Sequence, residues 1–172
     1  MRQYLNMKLI ILRGLPGVGK SVIADKLAEK LNNSTVIHVD DFKVECRKKH
    51  KDYNFGDVCK YSYEKTLQKL SSCSSEEVII IEEIFDNKDF VNNKIKFCKE
   101  NNIESYWFHL KRDIKKLLEV ENKRKRKIKN TLDDFETLQN NINKVKIANE
   151  KTILNNGDID NSVNAILNAS TR

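Results

Sequence analysis

The stretch Gly14-Leu15-Pro16-Gly17-Val18-Gly19-Lys20-Ser21 constrains this chain more than any other. It follows an apolar run, Leu9-Ile10-Ile11-Leu12, and leads into a segment with helical spacing at Ile23, Leu27, Ala28 and Leu31. Strand, glycine-rich turn and helix in that order fit G-x-x-x-x-G-K-[ST], the Walker A phosphate loop. Gly14, Gly17 and Gly19 permit backbone angles and close approaches that a side chain would forbid. The successive amides form a concave nest at the positive end of the helix, which suits the β-phosphate of a nucleotide. Lys20 reaches the β- and γ-phosphates, and the Ser21 hydroxyl is placed to ligate Mg²⁺. The expected nucleotide contacts are therefore Gly14, Pro16, Gly17, Val18, Gly19, Lys20, Ser21 and Val22. A chance glycine turn before a helix is the competing explanation, and the complete pattern in its proper context outweighs it. The reading is a site for a nucleoside triphosphate, ATP or GTP, with Mg²⁺.

Carboxylates recur where such a site needs them. A coarse pass along the chain gives alternating strands and helices, the sign of an α/β fold with a mainly parallel sheet. Strands are expected at 8–12, 35–39, 78–81, 105–110 and 152–154, the third being the strongest buried-strand signal. Helices are expected at 20–31, around Tyr63, Leu67 and Leu70, after Asp86-Asn87, over a very basic stretch at 112–128, around Leu132 to Val145, and at the C-terminus. Residues 44–60 read as charged and irregular. Ligands of parallel α/β sheets sit at the carboxyl ends of the strands. Asp40-Asp41 follows the second strand and Glu82-Glu83 follows the third. Phosphoryl transfer to a hydroxyl uses one carboxylate to accept the hydroxyl proton and another to hold Mg²⁺ or its waters. The plainer alternatives are helix capping for Asp40-Asp41 and a solvated strand end for Glu82-Glu83.

Composition enters as a bound. With 172 residues, no visible repeat and one proline, a single domain is the default. No apolar run approaches the length that spans a bilayer, and the N-terminus lacks a signal-peptide core, so a cytoplasmic location without membrane contact is expected. Cys46, Cys59, Cys73 and Cys98 form no C-x-x-C pair, and His38, His50 and His109 are isolated, which gives no case for zinc. The net charge of +7 could signal a polyanionic partner. Lysine outnumbers arginine 25 to 7 and asparagine is frequent, as in AT-rich genomes, so the charge is weak evidence for nucleic acid.

The pattern strand–GxPGxGKS–helix, then strand–Asp-Asp-aromatic-basic, resembles the small P-loop kinases of the polynucleotide kinase, zeta-toxin and chloramphenicol phosphotransferase group. That resemblance implies a five-stranded parallel sheet in the order 2-3-1-4-5 with helices on both faces. It implies that Asp40 is the general base and that Lys43 contacts the acceptor, with lysine's point charge replacing the arginine fork of the phage-type enzymes. Ile81-Glu82-Glu83-Ile84-Phe85-Asp86-Asn87 resembles the stretch after the family's third strand. Glu82 is the choice for the metal-side carboxylate, and it also lies on the acceptor side. The family lid lines up with Lys116-Leu117-Leu118-Glu119-Val120-Glu121-Asn122-Lys123-Arg124. The second lid arginine falls on Arg124, a catalytic and nucleotide-binding residue by resemblance; the first falls on Val120, with Arg126 as its candidate substitute. The segment 155–158, and Asn156 in particular, is expected to edge the base.

Other readings stay open at this level. The basic run Lys123-Arg124-Lys125-Arg126-Lys127-Ile128-Lys129 reads as a solvated helix face, as a lid over the nucleotide near 112–130, as a nucleic-acid track, or as a nuclear-localisation signal. Asp41-Phe42 with Tyr53-Asn54-Phe55-Gly56-Asp57 also resembles uridine-kinase-like nucleoside kinases. A P-loop NTPase switch and a non-catalytic nucleic-acid module complete the set. The expectation taken forward is a kinase that moves the γ-phosphate of ATP to a hydroxyl acceptor, a polynucleotide 5′-hydroxyl or a nucleotide-like substrate.

Overall fold

The apolar run before the phosphate loop is strand β1 (Lys8–Arg13), and it lies at the centre of the sheet. The computed structural model describes residues 6–73, 77–125 and 129–170. After β1 come α1 (Lys20–Lys30), β2 (Ser34–His38), α2 (Val39–Lys49), α3 (Phe55–Ser72), β3 (Val78–Glu83) and α4 (Lys88–Glu100). Then follow β4 (Glu104–Lys111), α5 (Ile114–Lys123), α6 (Leu132–Lys144), β5 (Lys151–Leu154) and α7 (Ile159–Ser170). The five strands pair in the order β2-β3-β1-β4-β5, every pairing parallel, as the resemblance implies.

Alternation along β1 divides the core in two. Leu9 and Ile11, with Ile79, Ile81 and Trp107, pack on one face against Leu70 of α3 and Phe90 and Val91 of α4. Ile10 and Leu12, with Ile80, Phe108 and Leu110, pack on the other against α1, α5, α6 and α7 through Ile23, Leu27, Leu117, Phe135 and Val163. Full burial of each such side chain stabilises the fold by roughly 1.5–3 kcal/mol. Among the described residues, no helix is long and apolar enough to cross a membrane.

Four boundaries differ from the sequence expectation. The second strand ends at His38, and Val39 already belongs to α2. Residues 44–49, expected to be irregular, complete that helix because Val39, Phe42 and Cys46 fall on one side and pack into the core. α3 begins at Phe55 behind a reciprocal cap between Asn54 and Asp57, and its buried line of Val58, Ser62, Thr66 and Leu70 is half polar. Ser62 and Thr66 satisfy their hydroxyls on Cys59 O and Ser62 O, so a stripe that looks broken in sequence is continuous in packing. The basic helix stops at Lys123 instead of 128, since residues 122–125 offer no apolar side chain to bury. Arg126, the candidate second lid arginine, lies outside the described residues.

Lys94 is anomalous. It lies fully buried on α4, its ammonium 4.8 Å from the Phe90 ring centre and without a hydrogen-bond partner among the described residues. Burial depresses its pKa to about 7. The unfolded chain then binds more protons than the native one between about pH 7 and pH 10, so this residue makes stability rise with pH across that window. Lys94→Met should raise stability at neutral pH by about 2 kcal/mol and flatten that rise, as measured by urea unfolding at pH 7 and pH 9.5.

Candidate active site

The loop between β1 and α1 is shaped by backbone angles that favour glycine: φ is +148° at Gly14, +85° at Gly17 and +95° at Gly19. A Cβ on Gly14 would collide with Leu110 O, so the loop begins jammed against the end of β4. Lys20 opens α1 and is only 8 % exposed. Its ammonium donates to Gly14 O at 3.0 Å and Leu15 O at 3.2 Å, inside the turn that the motif builds. Burial lowers the Lys20 pKa, while the charges of Glu82, Glu83 and Asp40 pull it back up. Pro16 and Gly17 are half-buried, Val18 is buried, and Ser21 and Val22 are exposed on the first turn of α1.

Adjacent carboxylates on one strand part company. Glu82 and Glu83 end β3 and point to opposite faces of the sheet. Glu82, on the α1 side, accepts from the Ser21 hydroxyl at 3.1 Å. His38 is its register partner on β2, and the His38 Nδ1 lies 3.0 Å from the same oxygen while Nε2 lies 3.2 Å from Asp25. Burial works against the imidazolium, but Glu82 and then Asp25 more than offset it, and the His38 pKa is raised.

Glu83 faces α2. It accepts from the Lys43 ammonium at 2.6 Å and from the Phe85 N–H at 2.6 Å. Phe85 holds φ at +56°, uncommon for a non-glycine residue, and is buried against Phe90 and Trp107. Lys43 also donates to Asp40 at 2.9 Å. Burial alone would depress the Lys43 pKa; Glu83 and Asp40 reverse this and raise it well above the ordinary lysine range. Asp40 sits in the first turn of α2 with its side chain 77 % exposed. Beside this cluster opens a cavity of about 260 Å³ lined by Lys43, Phe55, Cys59, Tyr63, Glu83 and Asp86, among others. A second, of about 470 Å³, shares Phe55, Cys59, Tyr63 and Asn87 with it.

Arg124 follows the last turn of α5 and comes to the rim of the phosphate loop. A Cβ on Gly17 would lie 3.7 Å from its Nη2 and 3.5 Å from Val120 Cγ1. Arg124 donates to Glu121 Oε2 at 3.0 Å, and the other oxygen of that buried carboxylate accepts from the Asn130 backbone and side chain, each at 3.2 Å. Glu121 thus fastens the end of α5 to the approach to α6. Asn156 is exposed in the turn after β5, whereas its neighbour Asn155 is buried against the loop.

Sequence reasoning singled out Lys20, Ser21, Asp40, Lys43, Glu82 and Arg124, and the fold brings them to one end of the sheet. It gives no individual role to His38, Glu83, Glu121 or Asn155, although it marks the Glu82-Glu83 pair, the lid stretch and the segment 155–158. The parity of β3 carried a signal for Glu83, and the terminal position of His38 on β2 carried one for that residue. The donor set suits Mg²⁺, which takes a hydroxyl, one carboxylate and phosphate oxygens more readily than an all-protein cage. Among the described residues, no group of three His, Cys, Asp or Glu side chains could hold a metal.

Residues 7–155 match the family model described as chromatin associated protein KTI12. No curated protein matches the sequence. Among solved structures, the tunicamycin resistance protein of Deinococcus radiodurans is 15 % identical, with 96 % of each chain covered and a TM-score of 0.69. Shikimate kinase from Aquifex aeolicus is 20 % identical over 94 % of each chain, with a TM-score of 0.66. The Mycobacterium tuberculosis APS kinase CysC in complex with AMPPNP and APS is 13 % identical, over 95 % of this chain and 97 % of that one, with a TM-score of 0.65. At these identities the likeness establishes the P-loop kinase fold.

Proposed function

We propose that this chain, which belongs to the KTI12 family, is a nucleotide-dependent kinase that transfers the γ-phosphate of ATP to a hydroxyl. The observation that carries this reading is the division of labour at the end of β3. Glu82 turns to Ser21 of the phosphate loop, and Glu83 turns to Lys43 and a cavity on the other face. A nucleotide side and an acceptor side thus flank one strand end.

In this reading the loop amides and Lys20 hold the β- and γ-phosphates, and Arg124 neutralises charge at the loop's rim. Pro16, Val18 and Val22 flank the nucleotide, with Asn156 near its base. Ser21 and Glu82 would hold Mg²⁺, which when bound neutralises charge across the phosphate oxygens. Asp40 accepts the acceptor's hydroxyl proton as that oxygen bonds to the γ-phosphorus. The bond from phosphorus to the β,γ-bridging oxygen breaks, and its electron pair leaves with the diphosphate. Lys43 and Glu83 fix Asp40 and the acceptor end.

The acceptor assigned here is a polynucleotide 5′-hydroxyl. The Asp40-Asp41-Phe42-Lys43 run supports it, as does Phe55, 70 % exposed at the cavity and able to stack on a base. A second reading, a free nucleoside or small alcohol, is favoured by Lys43 itself. With two carboxylates on its ammonium it has little charge to offer a neighbouring phosphate.

The test is label transfer from γ-labelled ATP with Mg²⁺ to 5′-hydroxyl RNA and DNA, nucleosides, nucleotides and small alcohols. Asp40→Asn should lower transfer about 10²- to 10³-fold at unchanged ATP affinity. Label confined to nucleosides selects the second acceptor. ATP consumption that needs no acceptor and ignores Asp40→Asn would make the chain an NTPase and sink the kinase mechanism.

A further inference from the structure

Asn155 lies directly after β5, and the proposed mechanism gives it no part. Its main-chain N–H donates to Lys111 O at 2.8 Å, which pins it to the end of β4. Its side-chain Nδ2 donates to Val18 O at 2.7 Å, across 137 residues of sequence. The residue is 1 % exposed, and its Oδ1 is buried without a hydrogen-bond partner among the described residues. An orphaned buried acceptor works against folding. What Asn155 contributes therefore lies in the bond its donor makes.

That bond is to the phosphate loop at its most permissive point. Gly19 follows Val18 with φ at +95°, and a Cβ there would stand 2.7 Å from Asn155 Nδ2. The Asn155 amide thus occupies the space that the missing side chain leaves. In a trans peptide the carbonyl and the following N–H point in opposite directions. Holding Val18 O on Asn155 directs the Gly19 N–H away from Asn155. Glycine accommodates the reversed peptide at little steric cost. Reversal would replace that donor with the Val18 carbonyl, an acceptor that repels phosphate.

We propose that Asn155 is a positioning residue for nucleotide binding: by holding the Val18 carbonyl it keeps the Gly19 amide turned toward the β-phosphate. This rests on the reading of the loop as a nucleoside triphosphate site. If loss of the bond leaves the binding-competent peptide only about one tenth populated, apparent affinity falls about tenfold. The loss has a signature: it falls on ligands that carry a β-phosphate, because only they use the Gly19 amide.

The experiment titrates the full chain with AMP, ADP and ATP in the presence of Mg²⁺, by calorimetry, for the wild type, Asn155→Ala, Asn155→Asp and Asn155→Ser. Thermal melts run alongside. Alanine removes the donor and aspartate replaces it with an acceptor of the same shape. Serine supplies a shorter donor and a second reading should alanine not fold. The expected result is Kd for ADP and ATP raised about tenfold in the alanine and aspartate variants, with AMP within twofold of wild type. ADP and ATP binding within twofold of wild type would overturn the proposal. So would an equal loss for AMP, since that marks general damage. A wild type that binds neither ADP nor ATP overturns the nucleotide reading itself, and the role of Asn155 falls with it.

Discussion

Lys20→Ala should reduce γ-phosphate transfer by about 10³-fold or more while the protein remains folded. The ammonium is nearly buried and within hydrogen-bond reach of two carbonyls of the loop, and the negative charge of Glu82, Glu83 and Asp40 offsets part of the pKa lowering that burial imposes. A positive charge in so dry a setting stabilises developing phosphoryl charge far more than it would in water. Removal of single electrostatic contacts in comparable sites costs 10²- to 10³-fold, and an arginine supplied to a phosphoryl group is worth about 10³ to 10⁵. Lys20→Arg should not rescue, because the planar guanidinium does not fit where one ammonium reaches Gly14 O and Leu15 O. The measurement is single-turnover transfer of labelled phosphate, paired with a melting curve. A variant that retains a tenth of wild-type activity would remove Lys20 from the transition state.

The largest effect on stability should come from Arg13, which immediately precedes the phosphate loop. Its guanidinium is buried beneath the sheet end and pairs with Glu150 through Nε and, at 2.7 Å, through Nη2. Nη2 also donates to Val145 O at 3.0 Å, and Nη1 reaches Ile142 O at 3.4 Å and Phe85 O at 3.5 Å. One side chain thus closes the end of α6, the turn that aims Glu83 and the segment leading to β5. His109, its register partner on β4, stays neutral beside it; burial, then Arg13 and Lys111, depress its pKa to about 4. Arg13→Met leaves the Glu150 carboxylate without its cation in a largely buried place and should cost about 3–5 kcal/mol, read as a lower urea midpoint. Arg13→Met combined with Glu150→Met should recover part of that loss, because no lone charge is then left inside. A single variant within about 1 kcal/mol of wild type would show that the network is dispensable.

Much of the proposed nucleotide half was legible in sequence, for a physical reason. A phosphate loop needs several glycines, a lysine and a hydroxyl at fixed spacing, and backbone amides supply most of the rest. The proposed acceptor half is built from side chains brought together by helices α2 and α3, the elements whose bounds depart most from the sequence expectation. Ser62 and Thr66 hide the apolar stripe of α3, and the charged surface of α2 hides the three residues that anchor it. The strand order came with the family resemblance; spacing alone does not contain it. Asn155 and Asn156 show the limit most clearly. The turn after β5 was expected at the nucleotide, but which of two identical neighbours faces inward depends on how the chain leaves the strand.

The Val18–Asn155 bond also bears on how the protein is made. The phosphate loop emerges early, yet the carbonyl that orients its donor waits for a partner 137 residues further on. At roughly 5–20 residues per second, that wait is about 7 to 27 seconds of translation. Through that interval β1 already stands ready for the middle of a sheet whose β3 and β4 neighbours are still being made. Until Asn155 is made, the loop of the nascent chain meets β-phosphate about tenfold more weakly on this proposal, and β1 has both of its sheet neighbours only once β4 has emerged.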